Sequence, residues 1–407
     1  MHLYVMGIII DFLELSLFLI GLYYVAVGVF SFFKKRDILP KDERYTSFAV
    51  IIPAHNEGEV VGQLIESINK VDYPSGLIKV FVVADNCSDN TAYVAEKSGA
   101  EVIRRTSGRS NKSAAVAAAI AIIQSGGFDA EYYTVIDADN LVRNDYFHQM
   151  NSMLACGYDA VQGNVEAKNP NKNWLTAAYS LWHYLETRFG KLGPHNLGFG
   201  CKICGTGYAV KADVFCEILN DTRESCLAED LEYTMFLAIK NIKVAFAEKA
   251  VVYDEKPSKM SASLNQRTRW AQGVVDVQGR FGFRLIKRGK FIDWLSLYGD
   301  FLGVFSYTVF GIISVFSTIS VLFGYDFPLC RLWKNPICYV ALNIYLGLGF
   351  LTAMIGLVVD KKFNRYIVFN IFGFILYCIT WIPSAIIGMF RHNNKDWYHT
   401  EHSGSVG

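Results

Sequence analysis

Residues 132–140 read Tyr-Tyr-Thr-Val-Ile-Asp-Ala-Asp-Asn. An aromatic and β-branched run that stops on two aspartates one residue apart describes a buried strand with acid groups at its carboxyl end. The same grammar recurs upstream. Phe48 to Pro53 is a continuous apolar run leading into Pro53-Ala54-His55-Asn56-Glu57, and Val80 to Ala84 leads into Asp85-Asn86-Cys87-Ser88-Asp89. Val102 and Ile103 suggest a further strand. Helical patterns lie between: Val60, Leu64, Ile65, Ile68 and Val71 fall at helical spacing, Asp89 to Lys97 forms a short segment, and Ala114 to Ile123 is a run of small and apolar residues. Strands alternating with helices predict an α/β fold, a mostly parallel sheet with helices on both faces. Ligands on such sheets bind beyond the carboxyl ends of the strands. Three strand ends delivering carboxylates to one edge repel one another unless a cation or a donor-rich ligand binds there. Neither G-x-G-x-x-G nor G-x-x-x-x-G-K-[ST] occurs, which argues against a dinucleotide oxidoreductase and a P-loop ATPase.

Around this core the chain is unusually apolar. Its 407 residues are 52% hydrophobic and 19% charged, against about a quarter charged in a soluble domain. The excess sits at the two ends. Leu15 to Phe33, Pro336 to Val359 and Tyr366 to Phe390 carry no charge, and Leu297 to Tyr325 carries one, Asp300. Each is long enough to cross a bilayer. Lys34, Lys35, Arg36, Lys41 and Arg44 follow the first stretch, and Arg280, Arg284, Lys287, Arg288 and Lys290 precede the second. Basic residues stay inside, so the region between is expected on the cytoplasmic side of the cell membrane, as is the Lys361-Lys362 to Arg365 loop. A count of three later crossings puts the C-terminus outside, whereas Arg391 and Lys395 prefer the inside; a break near Pro383 or a re-entrant segment reconciles the two. The stretch from Ser258 to Lys290 mixes basic with aromatic and aliphatic residues, the pattern of a segment lying in the lipid headgroup layer.

The net charge of +1 shows no basic field and excludes nucleic acid as a partner. Nine cysteines, an odd number, read as thiols in a cytoplasmic domain, and Cys201-x-x-Cys204 lacks the second pair that zinc needs.

Three more motifs follow: Gly205-Thr206-Gly207 after Cys204, Glu229-Asp230 within Leu227 to Glu232, and Gln266-Arg267-Thr268-Arg269-Trp270. In this order after Asp85 and Asp137-x-Asp139, between membrane helices, they make the chain resemble the processive family 2 membrane glycosyltransferases: cellulose, chitin, hyaluronan and poly-N-acetylglucosamine synthases. The likeness covers roughly residues 45–290 by motif. It implies a GT-A (nucleotide-diphospho-sugar transferase) domain, a UDP-sugar donor, Mg2+ or Mn2+, and a polysaccharide acceptor. Pro53, Ala54, His55, Asn56, Glu57 and Asp85 match the nucleobase and ribose contacts. Asp137 and Asp139 match the D-x-D pair, with Asp139 as the metal ligand, and Lys112 matches a lysine near the donor. Asp230 matches the catalytic base, supported by Glu229. Cys204, Gly205 and Thr206 match the acceptor loop, and Gln266, Arg269 and Trp270 the acceptor and diphosphate segment. The tail residues Trp397, Thr400 and His402 resemble a W-x-x-T-x-H ending that closes over the donor in some bacterial synthases. Ala228 departs from the cellulose synthases, which have Thr there, and a gating F-x-V-T-x-K segment is missing from the sequence.

These readings divide the chain into an N-terminal transmembrane helix and linker (1–45), a catalytic domain (46–256), amphipathic interface helices (257–293), C-terminal transmembrane helices (294–390) and a tail (391–407). The expected activity is processive, inverting synthesis and export of a β-glucan from UDP-glucose. Poly-N-acetylglucosamine or hyaluronan synthesis, a non-processive transferase with a lipid acceptor, and a membrane scaffold with a degenerate domain remain alternatives. Four spans are few for a secreting pore, so a homo-oligomer or an accessory subunit would supply the rest.

Overall fold

The computed structural model describes residues 2–33, 37, 44–108, 111–126, 128–222, 227–362 and 370–391. Trp397, Thr400 and His402 of the tail lie outside these residues, as do Lys34, Lys35, Arg36, Lys41, Arg365 and Lys395. Helix α1 (His2–Phe30) is followed by β1 (Phe48–Ala54), α2 (Val61–Asn69), β2 (Ile78–Asp85), α3 (Thr91–Lys97), β3 (Glu101–Arg105), α4 (Lys112–Ser125) and β4 (Tyr132–Val135). Next come β5 (Leu141–Val142), α5 (Tyr146–Ala155), β6 (Ala160–Ala167), α6 (Trp174–Glu186), a π-helical turn (Thr187–Leu192) and α7 (Gly193–Asn196). Then follow β7 (Tyr208–Lys211), α8 (Ala212–Asp221), α9 (Glu229–Ile239) and β8 (Val244–Asp254). Beyond the sheet lie α10 (Met260–Val277), α11 (Phe283–Lys287), α12 (Phe291–Ser296), α13 (Gly299–Phe323), α14 (Pro336–Val359), α15 (Ile371–Ile379) and α16 (Trp381–Phe390).

The strands form one sheet in the order β3-β2-β1-β4-β7-β6-β8-β5. Parallel ladders join β3, β2, β1 and β4, and β6 to β8; β7 runs antiparallel to β4 and β6, and β5 to β8. The apolar run of β1 is continuous because the strand is buried on both faces. Ile51 packs on one side with Ala119 of α4, Phe215 of α8 and Leu237 of α9. Val50 and Ile52 pack on the other with Leu64 and Ile68 of α2 and Met150 of α5. Asn111 caps α4 by accepting the Ser113 N–H, and Asn173 forms a capping box with Thr176 at the start of α6.

Among the described residues, four helices are long and apolar enough to cross a membrane by length and composition: Met6–Phe30, Phe305–Phe323, Pro336–Val359 and Phe372–Phe390. The first three, within α1, α13 and α14, pack around Phe18, Phe310, Trp333 and Tyr345. Helix α1 starts well before Leu15, where the uncharged stretch begins. Asp11 and Glu14 are tolerated inside it because Arg331 pairs with Asp11 and Trp333 Nε1 donates to Glu14 at 2.8 Å. The fourth stretch is interrupted at Thr380, between α15 and α16. Pro383 has no N–H for the carbonyl of Ile379, so the helical ladder fails there. Both pieces lie along helices that follow the sheet strands. A β-carbon on Gly373 would sit 3.1 Å from the Trp174 ring of α6, and one on Gly388 would sit 2.8 Å from the Thr268 carbonyl of α10. At the end of α16, the Arg391 carbonyl accepts a bond from Gln272 of α10 at 2.8 Å.

Candidate active site

A cavity of about 700 Å³ opens at the carboxyl ends of β1, β2 and β4. It gathers Pro53, Ala54, His55, Glu57, Asp85, Lys112, Asp137, Asp139, Cys204, Gly205, Thr206, Glu229, Asp230, Gln266, Arg269 and Trp270 from seven chain segments. Asn56 is absent from that lining. It takes a left-handed backbone (φ 58), and its side-chain oxygen accepts the Ser88 N–H at 2.8 Å. This ties the first loop to the second. His55 Nδ1 donates to the carbonyl of Asp85 at 2.6 Å and strengthens the same tie. The buried Asp85 carboxylate pairs with Arg105 at the end of β3 and accepts the Asn111 N–H at 3.2 Å.

Lys112, in the first turn of α4, bridges the two halves of the site. Its Nζ lies 2.5 Å from Asp137, 2.6 Å from the Gly205 carbonyl and 3.6 Å from Glu229. Burial opposes its charge, but Asp137, Glu229 and Asp230 outweigh that and hold its pKa above the ordinary lysine value. Burial raises Asp137 and Glu229 above the usual carboxylate range, with Lys112 working against it in both. Burial lowers Arg269, opposed by the same carboxylates.

The Cys204 to Gly207 turn is built around buried Gln162. Its Oε1 accepts the Cys204 N–H at 2.8 Å, and its Nε2 donates to the Thr206 carbonyl at 3.0 Å. Gly205 and Gly207 have φ of 41° and 66°, where a side chain would be strained. The turn delivers the Gly205 N–H to Asp230 Oδ2 at 2.7 Å, while Leu231 N–H holds Oδ1 at 2.8 Å. Glu229 and Asp230 open α9, where the positive end of the helix dipole favours anions. Thr206 Oγ1 accepts the Asp137 N–H and donates to Asn140, whose amide bonds both Asp139 and Asp254 at 2.9 Å.

Asp254 belongs to none of the motifs above, yet Ala250-Val251-Val252-Tyr253-Asp254 repeats the grammar of residues 132–137, a signal that points to it. Gln162, Asn140 and the α6 residues Trp182, His183 and Glu186 carry no comparable signal. Trp270 is packed against two tryptophans, Trp182 with centroids 5.9 Å apart and Trp381 at 5.9 Å. Arg267 of the same motif is fully buried. It donates to the Tyr377 carbonyl at 3.1 Å and lies 4.5 Å over the Tyr377 ring, so it anchors α10 to α15.

Among the described residues, nine carboxylates line the cavity against Lys112, Lys202, Lys256 and Arg269, with Arg105 and Lys191 pairing Asp85 and Glu186 from behind the wall. Such an excess of negative charge fits a bound cation. Among the described residues, no three metal-ligating side chains cluster tightly enough to hold an ion alone. Mg2+ and Mn2+ take one or two carboxylates and complete their sphere with phosphate oxygens and water, a role that strand-end carboxylates lining this cavity can fill.

Residues 46–273 match the family described as glycosyltransferase like family 2. The chain is 26% identical over 378 residues to the probable glycosyltransferase YdaM of Bacillus subtilis, covering 87% of this chain and 86% of that protein. It is 25% identical over 236 residues to a beta-monoglucosyldiacylglycerol synthase of Synechocystis, covering 56% of this chain and 48% of the relative. The structure of the mannosyltransferase PcManGT of Pyrobaculum calidifontis, in complex with GDP-Man and Mn2+, aligns with a TM-score of 0.56 at 16% identity. That alignment covers 93% of this chain and 97% of the mannosyltransferase. The chain belongs to glycosyltransferase family 2 and has the GT-A fold.

Proposed function

We propose that this enzyme transfers a hexosyl unit from a UDP-sugar, with inversion at the anomeric carbon, to a hydroxyl of a lipid-borne acceptor. The reading makes it a multi-pass protein of the cell membrane with its catalytic domain in the cytoplasm. One observation carries it. The cavity that holds the strand-end carboxylates runs without interruption to Leu297, Leu302, Trp381, Ala385 and Met389, an apolar wall contributed by α13, α16 and the segment before them. Such a wall suits acyl chains, while the carboxylate floor suits a nucleotide sugar. The Synechocystis relative, named for monoglucosyldiacylglycerol synthesis, supports the same reading.

Asp85 accepts hydrogen bonds from the uracil N–H or the ribose hydroxyls. Asp230 is the general base. Backbone N–H groups already hold both its oxygens, so it is oriented before the acceptor arrives, and it takes the hydroxyl proton as the oxygen attacks the anomeric carbon. Lys112 and Arg269 offset the charge that develops on the departing diphosphate. Asp139, beside Asp137, is the carboxylate assigned to Mg2+ or Mn2+, which when bound supplies further charge to that leaving group. Gln266 and Trp270 face the acceptor, and Cys204, Gly205 and Thr206 form the turn beside it.

The test uses full-length protein in lipid nanodiscs with radiolabelled UDP-glucose. Label extracted into the organic phase as a discrete glycolipid is expected. Label confined to a polymer of high mass overturns the lipid acceptor. It would favour a second reading, a processive β-glucan, poly-N-acetylglucosamine or hyaluronan synthase, which rests on the Gln266, Arg269 and Trp270 side chains lining the same cavity.

A further inference from the structure

We propose that Glu186, held by Lys191, is a second acceptor-binding group, so that the acceptor presents at least two hydroxyls on its head group. This rests on the lipid-acceptor reading. Helix α6 ends at Glu186 and passes into the π-helical turn Thr187–Leu192. A π turn inserts one residue and redirects the side chains after it, a device common at functional sites. Here it turns Lys191 inward, where the side chain is 1% exposed and Nζ lies 2.9 Å from Glu186 Oε2. Burial opposes the lysine's charge, but the acid groups around it, the Glu186 carboxylate among them, outweigh that and raise its pKa above the ordinary value. A buried ion pair gives little net stability against an apolar replacement. Its presence at a cavity wall therefore calls for another use.

Glu186 lines the cavity. Lys191 takes Oε2, while Oε1 receives the Cys204 thiol at 3.8 Å, a long and weak contact. Because Lys191 already balances its charge, Glu186 is poorly suited to a metal and well suited to accept a hydroxyl proton donor. The next residue of the turn, Gly205, donates its N–H to Asp230. Glu186 and the proposed base thus flank one turn, one residue apart. A single acceptor hydroxyl satisfies Asp230, leaving Glu186 for another. His183, three residues earlier on α6, lines the cavity as well, and burial lowers its pKa well below the ordinary value, so the ring is neutral and able to bond hydroxyls. A sugar or polyol head group offers several hydroxyls; diacylglycerol offers one.

The experiment compares the full-length wild type with Glu186→Gln and Glu186→Asp in nanodiscs, using dioleoylglycerol and monoglucosyl-dioleoylglycerol as acceptors and titrating UDP by calorimetry. The wild type should favour the glucosylated lipid. Glu186→Gln should raise its KM about tenfold, the scale of a lost hydrogen bond to a charged group, while the KM for dioleoylglycerol and the affinity for UDP stay fixed. Glu186→Asp should recover part of the loss. Equal losses on both acceptors, weakened UDP binding, or an unchanged KM on the glucosylated lipid would each overturn the assignment. If the wild type labels neither lipid, the lipid reading fails separately. The same variants are then scored with cellotetraose: a selective rise in its KM keeps Glu186 as an acceptor group, and no rise removes it.

Discussion

The two halves of the sheet are built on different plans. Strands β3, β2, β1 and β4 are parallel neighbours joined through α2, α3 and α4, and β2 and β4 lead straight into Asp85 and Asp137. Strands β7, β6, β8 and β5 mix directions, and apart from Asp254 at the end of β8 their part of the site arrives on the Cys204 to Gly207 turn and on helices α6, α9 and α10. In the proposed mechanism the repeated half binds the donor, and the irregular half presents the acceptor and adds Arg269 to the donor's diphosphate. A repeated strand end holds carboxylates in a fixed array. A set of helices and turns can change its surface without disturbing that array, which leaves one catalytic plan open to many acceptors.

The division can be broken most sharply at the junction. Asp230→Asn should lower kcat about a thousandfold, within the range of general-base catalysis, while calorimetry shows UDP bound as before. Turnover near wild type would remove Asp230 from its role. Removing Mg2+ and Mn2+ with excess chelator should lower transfer by about a hundredfold or more, with recovery on adding either ion; unaffected transfer would strip Asp139 of its metal. Within the donor half, Asp85→Ala should raise the KM for UDP-sugar about tenfold and leave the acceptor KM alone. Within the acceptor half, Trp270→Ala should do the reverse at about fivefold, the scale of one aromatic contact. A Trp270 variant impaired for donor instead would show that the halves do not act separately.

The same division governs what could be read from the residues alone. Strands β1, β2 and β4 are legible because burial on both faces leaves a mainly apolar and aromatic run that ends at polar residues. Strand β6 hides its nature because Gln162, fully buried, breaks the run; its polarity is satisfied by the neighbouring Gly163 carbonyl and by the turn from residue 204 to 207, a distant part of the chain. Strand β5, two residues long, is too short to show a period. Motifs exposed Asp230 and Trp270, but Glu186 and Lys191 acquire meaning only through the π-helical turn, a backbone feature with no local composition of its own. The apolar stretch ending at Phe390 announced its length, and Pro383 its break; that it would lie along α6 and α10 depended on contacts such as Gly388 with Thr268.

That last contact joins chemistry to membrane. Since α16 fits against α10 where only glycine leaves room, and Trp381, Ala385 and Met389 complete the cavity, a water-soluble fragment ending before residue 297 lacks a wall of its own active site. In the proposed membrane placement, a detergent molecule wedged between the two helices would disable such an enzyme while every strand stayed folded, making its activity a reporter of the surrounding bilayer.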